Sequence, residues 1–182
     1  TGPFGSMVHK SDYMTGGVPL INPSHMISGV IREDASVSVS NEKATTLSSY
    51  ALAENDIVMA RRGEVGRCAL VNEREDGWLC GTGSFVLRFH EQVDRYFVLN
   101  LFLTQEIRKY LSGNSVGTTM TNLNHGILNK LPVAVPPSSE QKRIVKEIER
   151  LVAVCDHLKV RLNQASETRR QLASAVVEQA IY

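Results

Sequence analysis

The final part of the chain most limits the fold, because residues 138–182 contain neither glycine nor proline. Pro136 and Pro137 close the segment before it. Ser138 followed by Gln141 three residues later has the spacing of a capping box, in which the two side chains cap the first helical turn. The sequence therefore predicts one long helix that begins at Ser138.

The predicted helix carries an apolar stripe whose members follow one another at alternating steps of four and three residues. This is the 3.5-residue period of a coiled coil, and the stripe contains one charged residue, Arg169. We interpret its remaining members as dimerisation residues. They are Ile144, Ile148, Leu151, Cys155, Leu158, Leu162, Ala165, Leu172 and Val176.

The length of the helix favours a partner for this stripe. A continuous helix over residues 138–182 would be about 65 Å long, whereas residues 1–137, if compact, would form a body about 35 to 40 Å across. An exposed apolar stripe of that size is expected to contact a helix from another chain or from a continuation of this one. The alternative is a bent or broken helix that folds back on its own domain.

The two prolines also divide the chain into a globular domain of residues 1–137 and a helical arm of residues 138–182. With 182 residues, 42% of them hydrophobic, the chain can bury a core. We predict an α+β fold with a mostly antiparallel sheet, short helices and one long C-terminal coiled-coil helix. The predicted elements are strands near 18–21, 56–60, 68–71, 78–80, 84–89 and 131–135, a helix from Asp94 to Leu111 stopped by Gly113, and a short helix at 126–130. Residues 32–46 are interpreted as loop or weak strand, and Gly81-Thr82-Gly83 as a bulge.

Composition argues against several classes of protein. The net charge is +1, and residues 1–137 hold twelve Lys and Arg against thirteen Asp and Glu, so total charge does not indicate a nucleic-acid binder. An apolar run long enough for a membrane span and a signal-peptide pattern are both lacking, and we expect a cytoplasmic protein. Three scattered cysteines indicate reduced thiols, and the five histidines lack metal-ligand spacing, so no metal is expected. We find no catalytic motif and expect no enzyme activity in this chain.

Three polar segments of the globular domain are candidates for ligand contacts. The most positive runs from Ala60 to Arg67, between two predicted strands, where glycines allow close approach and arginines offer donors to phosphate or guanine. Residues 114–124 are rich in short hydroxyl and amide side chains, and residues 9–13 carry a cation and an aromatic ring. Each segment also fits a structural interpretation, as a solvated turn or as helix caps.

Four stretches together resemble one family. They are T-G-P-F-G-S with H-K-S-D-Y near the start, D-I-V-M-A-R-R-G-E-V-G-R in the middle, S-V-G-T-T-M-T-N-L-N, and L-P-V-A-V-P-P-S-S-E-Q-K-R-I-V-K-E-I at the helix start. Their order and spacing resemble the specificity subunit of Type I restriction-modification systems. In a full subunit of that family, two target-recognition domains each read half of a split DNA site, and two antiparallel helices separate them and dock methyltransferase subunits. This chain has one domain and one helix, and is either a fragment or a naturally short version.

The resemblance implies that residues 1–137 read one half-site in double-stranded DNA and that the helix pairs with a second copy. The expected partners are methyltransferase subunits and restriction subunits. S-adenosylmethionine, ATP and Mg would belong to those partners, and no cofactor is expected here. The implied DNA-binding residues are Lys10, Ser11, Tyr13, Arg61, Arg62, Gly63, Arg67, Asn114, Ser115, Thr118, Thr119 and Asn122.

Two other classes of function stay open at this point. The near-neutral charge of residues 1–137 favours a coiled-coil assembly module that binds protein without binding DNA. An enzyme with an unrecognised site is the third alternative, and a pocket of clustered acid and base residues would favour it.

Overall fold

A computed structural model describes residues 1–3, 5–115 and 122–181, with side chains described as far as residue 177. The chain divides into two compact units, Thr1–Gln141 and Lys142–Tyr182. The first unit contains short strands and helices, and the second consists of the greater part of one long helix. The predicted α+β class, with its long C-terminal helix, is confirmed.

The first unit is built from short strands in two three-stranded sheets and one hairpin. The strands are β1 Val18–Ile21, β2 Met26–Ile27, β3 Val30–Ile31, β4 Ser38–Val39, β5 Ile57–Ala60, β6 Cys68–Leu70, β7 Leu79–Cys80 and β8 Ser84–Leu87. β1 lies between β4, which is antiparallel to it, and β7, which is parallel. β5 lies between β6 and β8, both antiparallel, and β2 pairs with β3 as a hairpin.

Five α-helices accompany these strands in the described part of the chain. Side chains cap the first four, because Ser40, Asp94, Thr104 and Asn124 each accept a hydrogen bond from a backbone N–H of the first turn. The helices are α1 Asn41–Thr46, α2 Arg95–Leu103, α3 Gln105–Asn114, α4 His125–Asn129 and α5 Ser138–Ile181.

The core of the first unit is centred on β5, whose four residues are all buried. This agrees with its continuous apolar sequence, which is typical of a central strand covered on both faces. Asp56, just before the strand, is also buried. Its carboxylate accepts two hydrogen bonds from Arg88 (2.8 and 2.6 Å) and one from the backbone N–H of Ala53 (2.9 Å), so the buried charge is paired.

The predicted helix over residues 94–111 is wrong in one respect, because two helices occupy the region. Thr104 separates them with an extended backbone (ψ 151). Its hydroxyl donates to the carbonyl of Leu101 at 2.7 Å and accepts from Ile107 N–H at 3.4 Å. The threonine therefore caps the second helix, and Gly113 lies inside α3 instead of stopping it.

Three further predictions are corrected. Residues 131–135 form no strand, because Pro132 lacks an N–H and the side chains of Val133 and Val135 are exposed. Residues 32–46 include β4 and α1. Gly81-Thr82-Gly83 is not a bulge; it links β7 and β8, which belong to different sheets, and Gly83 has a φ of +86.

The long helix α5 begins where the prolines predicted, at Ser138, and continues through 44 residues, so the broken-helix alternative is wrong. The carbonyl of Pro137 accepts from the backbone N–H groups of Glu140 and Gln141. Gln141 differs from its predicted capping role. Its buried side chain donates to the carbonyl of Pro136 at 2.8 Å and accepts from Asp94 N–H at 2.7 Å, which joins the helix start to the cap of α2.

The predicted dimerisation stripe lies along α5. Ile144 and Ile148 are half-buried, and every residue from Leu151 to Val177 is exposed. Leu162 is 70% exposed and Val176 65%, values that are high for apolar side chains. Across the described residues, no helix combines the length and apolar character that crossing a membrane requires.

Candidate nucleic-acid interface

The turn from Arg61 to Arg67 joins β5 to β6 and is closed by backbone hydrogen bonds. Ala60 N–H donates to the carbonyl of Arg67 at 2.7 Å, and Gly66 N–H donates to the carbonyl of Ala60 at 3.1 Å. Gly63 and Gly66 have positive φ values, and a Cβ on Gly66 would lie 3.1 Å from the Leu111 side chain. The glycines therefore allow a tight turn that packs against α3.

Two segments that the sequence singled out separately meet at this turn. Arg62 and Asn122 form an isolated antiparallel bridge, and the backbone N–H of Leu123 donates to the carbonyl of Arg61 at 2.8 Å. On its other side, Arg61 N–H donates to the carbonyl of Gly83 at 2.9 Å. Residues 61–62, 83–85 and 122–125 thus lie together in one cluster, which we call the convergence site. Arg62 and His125 are exposed in it, whereas residues 83–85 are buried.

At the convergence site the Arg61 side chain lies over a buried aromatic ring. Its guanidinium carbon is 5.8 Å from the centroid of Phe85. Burial, and next the adjacent charge of Arg62, lower the pKa of Arg61 from its ordinary value. Its Nε atom is buried without a hydrogen-bond partner. Packing against Phe85, together with backbone pairing, therefore holds this arginine in place.

Arg62 is the exposed cation of the convergence site. Neither Arg61 nor Arg62 takes part in an ion pair among the described residues. The two arginine side chains are neighbours. Adjacent guanidinium groups without a carboxylate partner create a local positive potential that favours an anion. The near-neutral total charge of the domain conceals this local concentration.

Arg67 has a different environment from Arg61 and Arg62. It forms an ion pair with Glu64 in the same turn, and Arg108 of α3 lies 4.0 Å from the other oxygen of that carboxylate. The hydrogen bond from Arg67 is the main cause of the lowered pKa of Glu64. The charge of Arg67 is thus balanced locally, and the exposed Gly63 serves the turn through its positive φ.

The first predicted loop runs from Lys10 to Tyr13. Lys10 and Ser11 are exposed in a short 3-10 helix, and Asp12 pairs with Lys43 at 3.3 Å. Tyr13 packs on the buried cluster around Leu20, and its hydroxyl accepts from Asn22 Nδ2 at 3.5 Å. Among the described residues, no hydrogen bond, ion pair or ring contact joins these side chains directly to Arg61 or Arg62.

The third predicted segment divides between capping and the convergence site. Asn114 donates to the carbonyl of Tyr110 at 2.8 Å and Ser115 to that of Ser112 at 2.6 Å, which fits their interpretation as helix-end residues. Asn122 is half-buried, and its Oδ1 lacks a hydrogen-bond partner. Thr118 and Thr119 lie outside the described residues.

Sequence reasoning missed two members of the convergence site. His125 is the first residue of α4. The centroid of its ring lies 4.9 Å from that of Phe85, and the two ring planes are inclined at 54°. A histidine directly after a polar loop gave no motif, and Phe85 was indistinguishable from any strand residue. The capping spacing of Asn124 to Ile127 is the signal that could have placed His125 at a helix start.

The cysteines and the metal-binding side chains add no second site to the described part of the chain. Burial raises the pKa of the Cys68 thiol and of the Cys80 thiol to about 12 in each case. Within the same residues, no group of three His, Cys, Asp or Glu side chains is arranged to hold a metal ion. Cys155 is exposed on α5.

Comparison with known proteins identifies the family. Residues 5–167 match the family model described as the Type I restriction modification DNA specificity domain. The chain belongs to this family. The EcoEI specificity subunit of a Type I restriction enzyme from Escherichia coli is 27% identical over 183 residues, and the EcoKI specificity subunit from strain K12 of that species is 26% identical over 179 residues.

The alignment with EcoEI covers 90% of this chain and 30% of that protein, and the alignment with EcoKI covers 94% and 36%. The chain thus spans about a third of the length of these specificity-subunit relatives. Among solved structures, a chain from a study of complex assembly and conformational transition of the type I R-M system has a TM-score of 0.70 at 18% identity, covering 95% of this chain and 41% of that one. The HsdS subunit from Thermoanaerobacter tengcongensis has a TM-score of 0.61 at 22% identity, over 79% of this chain and 38% of that one. The specificity-domain fold is therefore shared.

Proposed function

We propose that residues 1–137 bind double-stranded DNA and recognise one half of a split target site for a Type I restriction-modification complex. The observation that carries this proposal is the pair Arg61 and Arg62. These are adjacent cations that form no ion pair with a carboxylate among the described residues. The bridge from Arg62 to Asn122 adds an amide side chain to the same surface. Guanidinium and amide groups are those that contact phosphates and base edges.

The proposed role of the long helix α5 is to pair two copies of the chain. The exposed stripe from Leu151 to Val176 has the heptad period of a helix that pairs with another helix. Pairing with a second copy about a twofold axis would place two identical domains on one DNA molecule. Such a dimer would recognise two half-sites that are reverse complements, separated by base pairs it does not read.

The proposed role is recognition without catalysis. Relatives in this family are named as specificity subunits of restriction enzymes, and we propose that this chain likewise positions methyltransferase and restriction subunits. S-adenosylmethionine, ATP and Mg would then bind those partners. The residues proposed to contact DNA carry hydrogen-bond donors and acceptors. Their proposed role is to bind DNA, without forming or breaking covalent bonds.

Selection from a pool of randomised DNA duplexes tests the proposal directly. The full chain, alone and with its methyltransferase subunits, is incubated with the pool at low salt, and retained duplexes are amplified and sequenced over several rounds. Enrichment of a defined base sequence is the expected result. Retention without any sequence enrichment, or no retention, would contradict DNA recognition and favour the protein-only assembly module.

A further inference from the structure

Phe85 supports two polar side chains from different segments of the convergence site. The ring is 1% exposed, and its residue pairs with Met59 in the sheet formed by β5 and β8. The guanidinium carbon of Arg61 lies 5.8 Å from the centroid of this ring, and the imidazole centroid of His125 lies 4.9 Å from it. Because the buried ring is fixed by the sheet, both side chains have a fixed supporting surface.

Arg62 lacks this support. Its side chain is exposed, and it takes part in no ion pair or ring contact among the described residues. A long side chain of this kind can adjust to a phosphate oxygen over a range of positions. Reading a base edge instead requires donors held in one orientation, since a small displacement loses the distinction between bases.

The chemistry of the two supported side chains suits base edges. A guanidinium can donate two parallel hydrogen bonds to guanine, and the burial of Arg61 Nε leaves the terminal Nη groups for such a contact. A neutral imidazole presents one donor and one acceptor nitrogen. The exposed position of His125 at the start of α4 leaves its ring accessible.

We infer that Arg61 and His125, both held against Phe85, are the specificity-determining residues of the convergence site, and that Arg62 is a phosphate contact. This assignment rests on the proposed function, because it presumes that the domain binds DNA. It divides the predicted arginine pair into two roles and adds a residue that the sequence motifs did not include.

The duplex selection is repeated with Arg61→Ala, His125→Ala and Arg62→Ala, and with His90→Ala as a control at another exposed histidine of the first unit. Arg61→Ala and His125→Ala should each abolish the preference at one or more base positions, with discrimination there falling roughly 5- to 150-fold. Arg62→Ala should enrich the parental sequence with weaker binding and a salt slope reduced by about 1. His90→Ala should match the parent.

Conservative variants separate a reading role from a structural one. Arg61→Lys retains the charge but loses the planar fork, and His125→Asn retains hydrogen-bonding capacity with different geometry. Each should alter base preference while its thermal unfolding and its affinity for unrelated DNA stay near those of the parent. If all Arg61 and His125 variants enrich the complete parental sequence, the assignment is wrong and the proposed function stands. A parent that enriches no sequence would overturn both.

Discussion

The backbone of Arg62 pairs with that of Asn122 in an antiparallel bridge, although the two residues belong to turns far apart in the sequence. The neighbouring hydrogen bond from Leu123 N–H to the carbonyl of Arg61 extends the same contact. This pairing places cations from one segment beside amide and imidazole groups from another. The surface proposed to contact DNA depends on it.

Replacing Arg62 should weaken DNA binding more than replacing Arg67. Arg62→Ala removes a cation that has no described carboxylate partner and should reduce affinity about fivefold at low salt, as expected for the loss of about 1 kcal/mol from one contact. Arg67→Ala removes a charge already balanced by Glu64 and should have a smaller effect. Fluorescence anisotropy with a labelled duplex measures both, with the exposed Arg32→Ala as control. Equal affinities for the parent and Arg62→Ala would remove Arg62 from the interface.

A charge on the heptad stripe should separate the proposed dimer. Leu158 is 50% exposed and Val160, outside the stripe, is 54% exposed, so the two positions are matched in exposure and chemistry. Leu158→Asp would bury an unpaired carboxylate between paired helices and should yield monomers. Val160→Asp should leave the dimer unchanged. Sedimentation equilibrium distinguishes these outcomes, and a Leu158→Asp dimer as stable as the parent's would exclude this stripe as the interface.

Losing the carboxylate of Asp56 should destabilise the first unit. Asp56→Ala removes acceptors for Arg88 and for Ala53 N–H at a buried position and should lower the free energy of unfolding by about 2 kcal/mol. Asp34→Ala, at an exposed carboxylate bonded to Ser36, should cost less than about 1 kcal/mol. Urea unfolding followed by circular dichroism compares them. Equal losses would mean that the buried ion pair of Asp56 contributes no more to stability than the exposed hydrogen bonds of Asp34.

The buried thiols should make stability fall in alkali. The pKa values of Cys68 and Cys80 are raised to about 12 in the folded chain, from an ordinary 9.0. Between these limits the unfolded chain loses thiol protons that the folded chain retains, so unfolding is favoured as pH rises, by about 1.4 kcal/mol per pH unit for each thiol. The variant Cys68→Ala/Cys80→Ala should show a shallower decline in unfolding free energy above pH 9 than the parent. Parallel declines would contradict the raised pKa values.

The sequence predicted those parts of the fold that depend on local chemistry. Pro136 and Pro137 located the start of α5, and the absence of glycine and proline beyond them predicted its continuity. Thr104 was missed as a boundary because its capping bond to Ile107 N–H depends on a backbone change that apolar periodicity does not reveal. The prediction of a strand at residues 131–135 was wrong, because alternation of apolar residues does not provide a partner strand.

The candidate site was partly predictable for a related reason. Arg61 and Arg62 were recognisable as a local concentration of charge. Their meeting with Asn122, and the support of Arg61 and His125 by Phe85, are tertiary contacts between segments without a common motif. The ion pair of Arg67 with Glu64 is local, yet the sequence alone did not distinguish it from the neighbouring arginines.

The spacing between half-sites is the decisive measurement, because α5 is proposed to separate two identical reading domains. Duplicating one heptad, Asp156–Leu162, keeps the stripe in phase and lengthens the helix by about 10 Å. Duplexes selected by the parent should contain two inverted half-sites at one fixed spacing, and those selected by the duplicated variant should contain the same half-sites about 3 base pairs further apart, at 3.4 Å per base pair. A single half-site, or an unchanged spacing in the lengthened variant, would contradict the proposed role of α5.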